Sequence, residues 1–388
     1  MSRIYLDHAA TSFPKPPQVY AAVNMALREW GVAAGRGTTR EAVEINRMLS
    51  QTRQRLAELL NATDPCGVVF TQNGTAALNQ ALHGWLRPGD HVICTAADHN
   101  SVLRPLAWMA EQTGVSVTCL PCSRSGWVDP DDFSRHWHSN TRLVTISHAS
   151  NVTGVVQDAA AIGKLAQARN TVFLLDAAQT LGCVPIDVHG WGVDLLAAPG
   201  HKGLFGPLGT GILYASPRCQ AELRPLLQGG TGTVSESEQQ PADWPERMES
   251  GNLNVPGIAG LLAGVNWVLE TGVARIHADQ QQRRRDFVDL LRSAIGERVS
   301  LFGCQSLSES VGIVSLNATD WEPQDLAVVL DQQSPRVQIR AGLHCAPRMH
   351  ATLGTISRGG TARFSWGPLN TWEELSLTGH LLQRLLTS

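Results

Sequence analysis

The residues with the most chemistry to offer stand in two short stretches, Arg340-Ala341-Gly342-Leu343-His344-Cys345-Ala346 near the carboxyl end and Gly200-His201-Lys202 in the middle. A cysteine flanked by an arginine and a histidine can be held partly as thiolate, the nucleophilic form of sulfur. A lysine in a glycine-flanked loop can condense with a carbonyl. Together they point to carbonyl-cofactor chemistry on a sulfur substrate, although neither stretch decides it alone.

Other candidates follow apolar runs. Thr71-Gln72-Asn73-Gly74-Thr75-Ala76-Ala77 follows one run and opens a helix, so its N–H groups and the Thr75 hydroxyl could hold a phosphate; it lacks the GxxxxGK[ST] pattern, and the plainer reading is a turn with threonine near a helix cap. Asp176 ends the run Val172 to Leu175, where a carboxylate can keep a ring nitrogen protonated or merely cap a helix. Lys202 follows a further run, and His201 beside it can add a phosphate contact; an exposed loop lysine is the alternative. His99, in Ala97-Asp98-His99-Asn100-Ser101, could stack on an aromatic ring or be a surface or capping histidine. Asn151 reads equally well as a turn residue.

These residues need a scaffold that presents strand ends to one place. Seven short apolar runs supply it: 68–70, 91–94, 115–120, 143–146, 172–175, 195–197 and 211–214. Candidate helices at about 75–86, 101–112 and 158–168 lie between them, the pattern of an α/β fold with a mostly parallel seven-stranded sheet. Ligands of such sheets bind at the carboxyl ends of the strands. A polar, glycine-rich excursion runs from Gln228 through Trp244. Beyond Pro256 a long helical run (about 257–294) leads into alternating short strands and helices, the composition of a second, smaller α+β domain.

With 388 residues, two domains are expected. A net charge of −3, with 17% charged and 43% hydrophobic residues, gives no field to gather nucleic acid or an anionic membrane, so neither is expected as a partner. No run of about 18 apolar residues occurs. The opening residues lack the charged head and apolar core of an export signal, and a cytoplasmic location is expected. The eight cysteines (66, 94, 119, 122, 183, 219, 304 and 345) then read as reduced thiols, mostly packing residues. Cys119-Leu120-Pro121-Cys122 has CxxC spacing, but no second CxxC or suitable histidine pair accompanies it, and no metal is expected.

Taken in order, from Leu6-Asp7-His8-Ala9-Ala10-Thr11 to Thr361-Ala362-Arg363-Phe364-Ser365, the set closely resembles the class V aminotransferase superfamily of pyridoxal phosphate enzymes, and within it the cysteine desulfurases. The resemblance implies a fold type I homodimer, with a large cofactor domain (17–254) and a small domain (1–16 and 255–388) that carries the active-site cysteine loop. It implies pyridoxal 5'-phosphate as cofactor, with Lys202 the lysine that bonds it, Asp176 the partner of the ring nitrogen and Gln179 the partner of the ring hydroxyl. His99 would stack over the ring. Thr75, His201 and the Ala76 backbone would hold the phosphate, with Thr233 of the neighbouring subunit as an extra donor.

The form Arg-x-Gly-x-His-Cys resembles the second group of desulfurases and makes Cys345 the nucleophile that receives sulfur as a persulfide. Arg363 is similar to the arginine that clamps the substrate carboxylate, Asn151 to the residue beside it, and Arg340 counts with them as a substrate-binding group. Arg340 and His344 are also the local groups that could favour thiolate. The implied reaction turns L-cysteine into L-alanine, with Lys202 moving the Cα proton and the sulfur passing to an acceptor. The stretch Pro347 to Gly360 looks longer than in the best-known members, which bears on the entrance and so on that acceptor. Iron–sulfur assembly, thiolated RNA, a sulfur-containing natural product and selenium supply all remain open as destinations. The alternatives are a selenocysteine lyase or a non-catalytic sulfur-relay partner.

Overall fold

Apolar runs punctuated by polar turns build a single seven-stranded sheet in the computed structural model, which describes residues 3–35, 37–234, 236–303 and 309–387. Met1, Ser2, Cys304, one of the cysteines expected from sequence to be mostly packing residues, and Ser235 of the glycine-rich excursion lie outside the described residues. After strand β1 (Arg3–Tyr5), helices α1 (Pro17–Glu29) and α2 (Arg40–Leu60) lead into β2 (Val68–Thr71), α3 (Gly74–Trp85), β3 (His91–Thr95), α4 (Asn100–Thr113) and β4 (Ser116–Leu120). Helix α5 (Pro130–Arg135), β5 (Thr141–Ser147), α6 (Ala159–Ala168), β6 (Val172–Asp176), β7 (Leu195–Pro199), β8 (Gly211–Ala215) and α7 (Pro217–Glu222) complete the layer.

The sheet order is β2-β8-β7-β6-β5-β3-β4. Only β8 runs against its neighbours, pairing antiparallel with β2 and β7. Strands β5 to β8 are almost wholly buried because helices cover both faces, which is why they read as continuous apolar runs rather than alternating ones. Chain order reverses between β3 and β5, the kind of crevice where such sheets bind ligands. Asp176, Ser147 and the loops that hold His99 and Lys202 all lie at this carboxyl edge.

The long helical run after Pro256 is two helices, α8 (Val255–Thr271) and α9 (Val273–Ile295), bent by 76° at Gly272. Gly272 has φ +87°, a conformation that favours glycine and that the sequence reading passed over. No single helix among the described residues is long and apolar enough to cross a membrane. Strands β9 (Val299–Phe302) and β10 (Ile313–Ala318), helix α10 (Pro323–Asp331), strands β11 (Arg336–Gln338) and β12 (Arg340–Gly342), helix α11 (Pro347–Leu353), strand β13 (Thr361–Ser365) and helix α12 (Trp372–Thr387) follow. An antiparallel sheet of order β12-β13-β10-β9 and a parallel pair β1-β11 share a core of Leu6, Phe287, Val314, Phe364 and Leu382.

Packing ties the carboxyl-terminal part of the chain to the large sheet. The apolar face of α8 (Ile258, Leu261, Val265) and the Cys345-proximal residues Ala346, Met349 and Leu353 belong to the same core as Ile146, Phe173 and Leu196 of the main sheet. Helix α11, and with it the turn that carries Cys345, is therefore seated on the large body.

Candidate active site

Asn73 caps α3, its side chain accepting the Ala76 N–H at 2.8 Å. That bond occupies the backbone group expected to hold a phosphate, and Ala76 lines a neighbouring cavity instead. The leading turn of α3 still presents Gly74 and Thr75 to the cavity at the sheet edge. One helix along, His99 caps α4 by accepting the Ser101 N–H at 3.0 Å. Ser101 Oγ lies 2.9 Å from His99 Nδ1 and 2.8 Å from Thr75 Oγ1, which links the two helix starts. Ser101 escaped the sequence reading, although a serine two residues after a capping histidine is where such a link has to be.

The cavity is lined by Thr75, His99, Asn151, Asp176, Gln179, His201 and Lys202, and also by Ser147. Thus seven of the residues singled out from sequence meet in one place. Asp176 is buried, its Oδ1 accepting the Ala178 N–H at 2.9 Å and its Oδ2 the Ser147 hydroxyl at 3.2 Å. Burial pushes its carboxyl above the ordinary range, opposed by the Ala178 N–H, the Lys202 charge and the Ser147 hydroxyl. Gln179 Nε2 donates to the Ala9 carbonyl at 3.0 Å, which fixes the direction of its amide.

Lys202 is lowered to about 8, first by burial and then by the like charges of Arg363 and Arg340, while Asp176 works against the shift. Near neutral pH it is thus far closer to losing its proton than a surface lysine. His99 is lowered to about 4 by burial and by the charges of Lys202, Arg340 and Arg104, so its ring is neutral, with Nδ1 committed as an acceptor. His201 is likewise lowered to about 4 by burial and by Lys202 and Lys15. Its carbonyl accepts Ser12 Oγ and Lys15 Nζ, each at 3.0 Å, which pins the loop before Lys202.

Arg363 is buried on β13, with Nη2 donating to Asp7 Oδ1 at 2.8 Å and Nη1 to the Asn151 carbonyl at 2.9 Å. Asn151 in turn donates from Nδ2 to the His344 carbonyl at 2.6 Å. Asp7 was quoted in the sequence motif but given no role; its pairing with Arg363 supplies one. Arg340 stands opposite Arg363 in register on β12 and is itself exposed.

Cys345 is exposed and has φ +57°, directly after His344 at φ +48°. Two consecutive non-glycine residues in this region cost on the order of 1–3 kcal/mol each. The turn is held by the Asn151 bond and by the Asn100 N–H, which donates to the Cys345 carbonyl at 2.8 Å and sets the cysteine beside His99. His344 does not serve the thiol as its sequence position suggested. Its ring is buried, Nε2 lying 3.1 Å from the Thr361 carbonyl, and burial with Arg363, His350 and Arg340 holds it neutral. Thr233 lies away from this cavity within the chain, its hydroxyl 2.8 Å from that of Thr231.

The residues fit pyridoxal 5'-phosphate. Among the described residues, the buried Asp176 carboxylate has no direct cation partner, which matches a protonated ring nitrogen, and the buried His201 Nδ1 has no partner, which matches a phosphate oxygen beside Thr75.

A family model described as aminotransferase class-V matches residues 4–377. The chain is similar to a probable cysteine desulfurase of Methanothermobacter thermautotrophicus, 35% identical over 98% of this chain and 94% of the relative. It is 30% identical to the cysteine desulfurase CsdA of Escherichia coli, over 99% of this chain and 94% of that protein. Among solved structures, the apo cysteine desulfurase of Thermococcus onnurineus NA1 superposes with a TM-score of 0.91 at 28% identity, over 99% of this chain and 94% of the other.

Proposed function

The chain belongs to the aminotransferase class-V family and, within it, to the cysteine desulfurases, and from that premise we propose that it converts L-cysteine to L-alanine and leaves the sulfur as a persulfide on Cys345. The observation that supports this most strongly is the position of Cys345: an exposed thiol on a strained turn, bonded through its carbonyl to Asn100 beside His99. A thiol kept for packing would be buried.

Pyridoxal 5'-phosphate, when bound, supplies an aldehyde that holds an amino group covalently and a cationic ring that accepts electron density from the substrate's Cα. Every other part falls to the chain. Lys202 Nζ, lowered to about 8, exists partly as the free amine and can take up the Cα proton. Asp176 would meet the ring nitrogen and keep it protonated, and Gln179 would meet the ring hydroxyl. The neutral His99 ring offers a flat face for stacking. Thr75, His201 and the start of α3 would hold the phosphate. Arg363 and Arg340 bring positive charge to the substrate carboxylate, and Asn151 ties Arg363 to the His344 turn.

Cys345 sulfur then attacks the substrate sulfur. A sulfur–sulfur bond forms, the carbon–sulfur bond breaks and the carbon takes a proton, so that L-cysteine and a thiol become L-alanine and a persulfide. Exposure of Cys345 suits the onward transfer of that sulfur to an acceptor protein. Purified enzyme given L-cysteine should yield alanine and sulfane sulfur in equal amounts; alanine without sulfur on the protein would count against the persulfide.

A homodimer is part of the same reading. Beside His201 and Asn73 lies an open cavity of about 810 Å3, rimmed by Leu208, Leu226 and Leu227, which are 68%, 47% and 60% exposed. A second copy packed on this face would cover the leucines and could bring its Thr233 to the phosphate.

A further inference from the structure

The CxxC spacing of Cys119 and Cys122 is not the thiol pair that the fold builds. Strands β3 and β4 run parallel with Cys94 directly in register with Cys119. In-register residues point to the same face, and both belong to the apolar cluster beneath α4. Cys122 packs with the cluster on the opposite face and donates its thiol to Thr352 Oγ1 at 3.7 Å. Neighbouring strands lie about 4.8 Å apart, inside the roughly 4.4–6.8 Å Cα separation of a disulfide.

The two thiols differ in character. Cys94 is buried, whereas Cys119 is half-buried on the edge strand of the sheet. The neighbouring Cys94 thiol and the charge of Arg348 hold the Cys119 thiol below its ordinary range, against burial, while the Cys119 neighbour and burial push Cys94 well above. Arg348 of α11 brings positive charge to Cys119, while Thr352, a turn further on, meets Cys122.

We propose that Cys94 and Cys119 form a second reactive site, a dithiol that low-molecular-weight disulfides oxidise, with Cys119 attacking and Cys94 resolving. Cys119 sulfur attacks one sulfur of the disulfide, whose other half leaves as thiolate with the bonding pair. The Cys94 thiol passes its proton to that thiolate and attacks Cys119 sulfur, expelling the second half as a thiolate that takes up, through solvent, the proton Cys119 gave up on ionising. Two protein thiols are oxidised to one disulfide, and the small disulfide is reduced to two thiols. Burial of Cys94 fixes the order.

The test uses full-length holoenzyme with excess glutathione disulfide, followed by alkylation of the remaining thiols and peptide mapping without reduction. The expected product is a Cys94–Cys119 cross-linked peptide lighter by two hydrogens. In Cys94→Ser, Cys119 should instead accumulate as the glutathione mixed disulfide. Arg348→Ala should slow the reaction at Cys119 severalfold near neutral pH by removing a charge that favours its thiolate, and Arg348→Lys should restore most of it. A Cys119–Cys122 link would overturn the proposal. So would Cys94 and Cys119 that both remain open to alkylation in denaturant while Cys345 is consumed; the wild-type map gives either result without relying on a variant.

Discussion

Arg340 and Arg363 face each other in register on adjacent antiparallel strands, one exposed and one buried. Like charges placed opposite each other destabilise a sheet; Asp7 already answers the buried Arg363, and a substrate carboxylate is the further anion that the exposed Arg340 suits. A hydrogen bond to a charged group is worth about 1.5–3 kcal/mol, or roughly 10–100-fold in binding. Arg340→Ala should raise KM for L-cysteine within that range while the cofactor absorbance stays normal. An unchanged KM would remove Arg340 from the substrate site.

The pH dependence of cofactor capture follows from Lys202. Its value of about 8 lies below the ordinary lysine value of 10.5, so the reactive free amine grows as pH rises through about 8 and levels off above it. Removing a neighbouring like charge makes the amine harder to deprotonate, so Arg340→Ala should shift the profile to higher pH. The check is the rate at which protein stripped of cofactor regains yellow absorbance, with borohydride reduction expected to fix the pyridoxyl group on Lys202. An adduct on another lysine would overturn the assignment.

Asn151 carries the turn that presents Cys345. Asn151→Ala deletes the bond to the His344 carbonyl, worth about 1 kcal/mol. The alanine-forming kcat should fall by roughly fivefold, with cofactor content unchanged, in a steady-state assay. No change in kcat would show that the turn holds itself.

If a second copy contributes Thr233, as proposed, cofactor retention will depend on that residue across the interface. Thr233→Ala should leave the light-scattering mass of a dimer intact and increase cofactor loss on gel filtration several-fold. A monomer that keeps its cofactor fully at low concentration would contradict the composite site.

Much of this was legible in sequence because strand ends are legible. Asp176, Lys202 and His99 each follow an apolar run, and the sheet brings such ends together whatever the loops do. What escaped depends on register and on chain reversal. The 24 residues between Cys94 and Cys119 hide their pairing, which β3 and β4 create, while CxxC advertises a pair that the pleat splits between two faces. His344 looked like a helper of Cys345 because it is adjacent; two left-handed residues in succession send its ring inward instead. Gly272 broke a helix that composition alone made continuous. Asp7 had no visible role until β13 set Arg363 beside it.

The central claim is that Cys345 receives the substrate sulfur. The most direct measurement is a single turnover with L-cysteine, quenched with a thiol-alkylating reagent and mapped by peptide mass. The peptide containing Cys345 should carry one extra sulfur for each alanine formed, and Cys345→Ala should keep its yellow cofactor yet form no alanine. Normal alanine formation by that variant, or the extra sulfur on Cys119 or Cys122 and not on Cys345, would contradict the account.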